Sequence, residues 1–129
     1  MKIVTIVAQV LVGLTFVVFG SNGILNFLHA PPLPPGPGGD FAKIMMDSHY
    51  TAFVGAVQVI GGLLLLVNRY VPLGLTLLGP VIVNILLFHG LLMHQGWQLG
   101  VVVAILWFFL FFRYKANFAG IFAAKAMQG

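Results

Sequence analysis

Residues 70–112 read YVPLGLTLLGPVIVNILLFHGLLMHQGWQLGVVVAILWFFLFF and contain no charged side chain. A membrane-spanning helix needs about 20 mostly apolar residues, so this stretch has room for two. It breaks at His94-Gln95-Gly96-Trp97, which places helices at 72–93 and 97–114. Pro72 suits the first turn of a helix, where an N–H has no intrahelical partner in any case. Pro80 lies inside a span and is expected to kink it.

Working outward, residues 48–68 and 3–39 are also free of charge. They predict spans at 50–67 and 3–28, the latter followed by a proline-rich loop. The whole chain agrees with this reading. Of its 129 residues 60% are hydrophobic and 6% charged, against about 25% charged in soluble domains. A chain this short exposes much of its surface, so this composition excludes an ordinary soluble domain and a disordered one. The expected fold is all-α: a single domain over 1–129, built as a four-helix transmembrane bundle.

Lys2, Arg69, Arg113, Lys115 and Lys125 fall on one side of such a bundle, and the other side has only Lys43 beside Asp40 and Asp47. The positive-inside rule then puts both termini in the cytoplasm and makes this a multi-pass protein of the plasma or inner membrane. Tyr50 and Trp97 mark the outer boundary, Tyr70 and Tyr114 the inner one, and Trp107 falls mid-span. Lys2 and the apolar run behind it resemble a signal peptide, but the run is too long and no A-x-A site follows, so cleavage is not expected. Six basic residues spread along the chain form no cluster for nucleic acid. Cysteine is absent, which excludes disulfides, thiolate metal sites and dithiol relays.

The outer loop, 29–40, holds five of the seven prolines and should be extended, a stiff cap over the bundle. Asp40 is expected to N-cap a short helix through Met46 that buries Phe41, Ile44 and Met45. The tail, 116–129, reads either as an interfacial helix with Phe118, Ile121 and Phe122 facing lipid or as a frayed end. Gly96, Gly100 and Ala104, and likewise Ala52 and Ala56, form small-residue stripes suited to close helix packing. Phe108, Phe109, Phe111 and Phe112 face lipid or a second subunit of a homo-oligomer.

Polar side chains inside a bilayer are costly and usually face the bundle interior. Gln9 lies on the inner half of the first helix. Asn22 and Asn26 share a face near its outer end, Gln58 is midway along the second, and Asn84 and His89 are on the third. All four histidines, His29, His49, His89 and His94, fall at the outer end. Asn22, Asn26, Gln58, His49, Asn84 and His89 are therefore candidates for an outward-facing ligand pocket. The competing reading makes the amides interhelical glue, at about 0.6 kcal/mol per bond, and leaves the terminal histidines in contact with water. His49 and His89 are candidate haem or metal ligands, and a quinone needs only a donor such as His89 or Asn84 and an aromatic wall. No nucleophile–base pair, phosphate loop, carboxylate pair or intramembrane acid is present, so no catalytic residue is expected.

The segments VQVIGGLLLLVNRYVPLGL (57–75) and LGPVIVNILLFH (78–89) resemble the DoxX-like family of small integral membrane proteins. FGSNG (19–23) and PPLPP (31–35) are similar to that family's first helix and outer loop, and the resemblance covers about 3–115. It implies four membrane helices and a role as a membrane partner of quinone- or thiol-linked redox enzymes, with Asn22, Gln58, Asn84 and His89 as pocket positions. This chain departs from the pattern at Gln58, where the family often has an acid; an amide cannot shuttle a proton. The related bundles that relay disulfides use cysteines, which are missing here. The leading expectation is a non-catalytic subunit or anchor of a redox complex that holds a quinone, lipid or other hydrophobic molecule. The alternatives are a small-molecule or lipid carrier hinged at Pro80, and a haem- or metal-binding oxidoreductase.

Overall fold

The structure, a computed structural model, describes residues 2–28 and 31–128. Its described residues are all-helical, with 76% in helix and no strand. Five α-helices follow one another: α1 (Lys2–Leu25), α2 (Pro37–Asp47), α3 (Tyr50–Leu66), α4 (Val71–Leu87) and α5 (Trp97–Arg113). A π-helical turn, Phe88–Leu92, extends α4, and a 3-10 turn, Lys115–Phe118, follows α5. Lys2–Leu25 and Val71–Leu92 are each long and apolar enough to cross a membrane. A third span exists if α2 and α3, which meet at 83°, count as one. The protein is thus built with membrane-spanning helices.

The helices pack in chain order. α1 lies chiefly on α3, α3 on α4 and, more lightly, α4 on α5, and α5 closes back on α1 more lightly still. Glycines make the α1–α3 contact. A Cβ on Gly20 would sit 2.6 Å from the Gly55 carbonyl oxygen, and one on Gly62 would sit 2.7 Å from that of Gly13. Both helices carry their glycines seven residues apart, two turns on the same face, and the antiparallel pairing brings the two sets together. Small residues of this kind let backbones approach closely. The expected Ala52 and Ala56 stripe is half-buried beside this seam. In α5, Gly100 abuts Ile85 and Leu86 of α4, but Gly96 precedes the helix in a left-handed conformation (φ 75°).

Several local expectations change. Gly36, not Asp40, precedes α2; Pro37 occupies the first turn, and Asp40 falls inside it, where a carboxylate complements the helix dipole. The buried face of α2 is Gly38 and Gly39, because Gly38 lies against Leu92 and Met93 and Gly39 against Pro34. Met45 is half-buried, and Phe41 and Ile44 are exposed. α4 runs on through Pro80 as one helix. After the 3-10 turn the tail is not helical: Phe118 is buried against Phe111, while Ile121 and Phe122 are exposed. Trp107, in the middle part of α5, is a bracket between helices. Its indole N–H donates to the Leu75 carbonyl at 2.9 Å, and its ring stacks on Phe111.

Candidate functional site

The light contact between α1 and α5 leaves a cavity of about 380 Å³, within the usual range for small-molecule pockets. Phe16 and Phe19 of α1, Ile82 and Ile85 of α4, and Leu99 and Val103 of α5 form apolar walls. Thr15, Gln58 and His89 supply the polar groups, and Gly96 and Gly100 leave room at the start of α5. The Thr15 hydroxyl is committed to the Leu11 carbonyl at 2.7 Å. The Gln58 amide has no hydrogen-bond partner among the described residues. It offers a donor and an acceptor to a ligand.

His89 is held by the π-helical turn. The wider turn gives the Met93 N–H to the Phe88 carbonyl, and the Gln95 N–H to the His89 carbonyl at 3.1 Å. In return His89 Nδ1 lies 3.1 Å from the Gln95 carbonyl oxygen. A carbonyl only accepts, so Nδ1 carries the proton and Nε2 of the neutral ring is left as an acceptor. Phe88 packs edge-on against the imidazole and touches Phe41 of α2. Single π turns inside α-helices recur at functional sites.

Of the six candidates, Gln58 and His89 come together in this cavity and four do not line it. Asn22 and Asn26 end α1. Asn26 takes a left-handed conformation (φ 52°), which asparagine tolerates better than most residues. The Asn22 side chain accepts the Leu28 N–H at 2.7 Å. The exposed Asn84 returns its amide to the Pro80 carbonyl at 2.9 Å. His49 is exposed at the α2–α3 corner, also left-handed (φ 62°). The His49–His89 pairing considered for haem or metal is therefore not assembled across the cavity, and His89 is the one imidazole that lines it. No group of three or more His, Cys, Asp or Glu is arranged for a metal ion among the described residues. His94 is exposed, and His29 lies outside the described residues.

A second polar cluster, at the opposite end of the bundle, was not legible as a cluster in the sequence. Gln9, 3% exposed, donates to the Leu65 carbonyl at 3.2 Å and to Asn68 Oδ1 at 3.0 Å, and accepts from the Tyr114 hydroxyl. It ties α1 to the ends of α3 and α5. Arg113 Nε donates to Thr5 Oγ1 at 3.1 Å. These groups border a pocket of about 190 Å³. The usable signal was three polar residues, Gln9, Asn68 and Tyr114, each at the basic end of a different apolar stretch.

The chain matches no family model, no curated protein and no solved structure.

Proposed function

We propose that this protein is a four-helix integral membrane protein with both termini on the cytoplasmic side, and that it binds a hydrophobic small molecule between α1 and α5. The observation that carries the reading is the cavity itself: apolar and aromatic walls, with one unpaired amide (Gln58) and one oriented imidazole (His89). A quinone in its reduced form suits it, because one ring hydroxyl donates to His89 Nε2 and the other accepts from the Gln58 amide. The role we assign is that of a membrane subunit or anchor of a quinone- or thiol-linked redox complex. The DoxX-like resemblance of 57–89 supports the same role.

Packing supports the reading of four spans. α3 lies antiparallel along α1, and α5 along α4, so elements that flank two full-length apolar helices share their depth. Each has 17 residues, the lower limit for crossing a hydrocarbon core. Lys2, Arg69, Arg113 and Lys115, at the same end of the helices, support this orientation.

The test is mass spectrometry of the organic extract of protein purified in mild detergent. The expected result is one quinone or similar molecule per chain, reduced at least tenfold in both His89→Ala and Gln58→Leu. A bundle that carries no organic ligand, or retention indifferent to both substitutions, overturns the assigned site. Purification always free of a redox enzyme counts against the subunit role.

A further inference from the structure

The smaller pocket gives a second site. We propose that it binds the phosphate of an anionic molecule at the cytoplasmic edge of the bundle. It is lined by Lys2, Thr5, Asn68, Arg113 and Tyr114, with Gln9 at its floor and Ile6 at its side.

Charge comes first. The chain has two acidic residues, Asp40 and Asp47, and both lie on α2. α2 packs on the start of α3 and on the π-helical turn. The pocket is at the other end of α3, roughly 25 Å away at 1.5 Å per residue. The one ion pair among the described residues, Lys43 with Asp47, is on α2 too. Lys2 and Arg113 therefore face the pocket with no carboxylate side chain near them, and Arg69 and Lys115 adjoin its residues Asn68 and Tyr114 in sequence. Helix dipoles do not oppose this. Two helices start at this end (α1, α4) and two finish there (α3, α5), so termini of about half a charge each cancel, and the full charges decide the sign.

Geometry comes second. Thr5 Oγ1 takes Arg113 Nε at 3.1 Å, which fixes the guanidinium at the rim and leaves its terminal nitrogens available. That planar fork matches phosphate oxygens in bidentate fashion. Buried Gln9 holds Tyr114 and Asn68 in place, so the polar wall is set before any ligand arrives. The volume, about 190 Å³, suits a phosphate-sized group. Ile3, Ile6 and Val10 are exposed beside it on α1, an apolar track for acyl chains. The phosphate can come from an anionic phospholipid or be free in solution.

The proposal rests on the proposed reading of the chain as an integral membrane bundle, so the first control is carbonate extraction: release from the membrane defeats that reading and not the pocket chemistry. The test is native mass spectrometry of the full chain in detergent with added phosphatidylglycerol, phosphatidylcholine or inorganic phosphate. One phosphatidylglycerol should be retained, with phosphatidylcholine at least tenfold weaker. Retention should fall at least tenfold in Arg113→Gln. It should also fall several-fold in Lys2→Gln, which breaks no hydrogen bond of the described fold, and should be unchanged in Lys43→Gln. Displacement of the lipid by millimolar phosphate assigns the site to phosphate from either source; no displacement, with loss in Arg113→Gln, assigns it to the lipid. Equal retention of the two lipids, or retention that ignores both Arg113→Gln and Lys2→Gln, overturns the proposal.

Discussion

α1 meets α3 and α5 in opposite ways. Against α3 it presents Gly13 and Gly20, and the backbones close until a single Cβ would strike a carbonyl. Against α5 it presents Thr15, Phe16 and Phe19, and the helices stand apart around a cavity. Both faces are apolar, so hydrophobicity does not distinguish them. Side-chain size does: small residues commit two helices to each other, and large ones facing Gly96 and Gly100 leave space that the chain does not fill.

The sharpest way to break this contrast is to give the tight face a side chain. Gly20→Leu or Gly55→Val should cost more than the roughly 1–3 kcal/mol typical of core overpacking, because the obstacle is backbone. Loss of the monodisperse peak in detergent chromatography is the expected outcome; a normal peak and melting midpoint would mean that the seam is not as close as described.

Next in size is Gln9→Leu, which leaves the Leu65 carbonyl, Asn68 and the Tyr114 hydroxyl without their shared partner. An unmet buried polar group costs about 1–3 kcal/mol, and thermal unfolding in detergent should report a loss of that order. The open face predicts the reverse. Leu99→Trp, at an exposed position on the cavity wall, should leave the midpoint within about 0.5 kcal/mol of the parent while reducing retained ligand about tenfold. If stability falls and ligand stays, the cavity is packing space.

The smallest effect belongs to α2. Lys43, fully exposed, has its pKa raised by the hydrogen bond and charge of Asp47. A raised lysine stabilises the fold below its unfolded value of 10.5 and loses that contribution as pH climbs past its folded value. Between pH 6 and 9 the pair should therefore add no slope to stability, and a pH-resolved melt of Lys43→Gln should run parallel to that of the parent, with at most a small constant offset.

The helices were legible because charges punctuate the sequence and spans have a minimum length. Which residues face each other was not. In a uniformly apolar helix the 3.6-residue alternation of polar and apolar side chains is missing, so Gly13, Gly20, Gly55 and Gly62 looked no different from other glycines. Gln58 and His89 could be singled out because polar groups in an apolar span are rare. Asn22, Asn26 and Asn84 shared that signal and serve the backbone instead, a distinction that depends on local geometry. The π-helical turn that orients His89 has no sequence signature, and the role of Trp107 depends on a carbonyl 32 residues away.

One consequence follows from where the larger cavity opens. Phe19 and Leu99 line it and are also exposed, so in the proposed membrane bundle its mouth faces acyl chains. A ligand of the proposed site then arrives by lateral diffusion in two dimensions. Occupancy is governed by its mole fraction in lipid and not by its molarity in water. Adding empty lipid at constant total ligand should vacate the site, although nothing in the aqueous phase has changed.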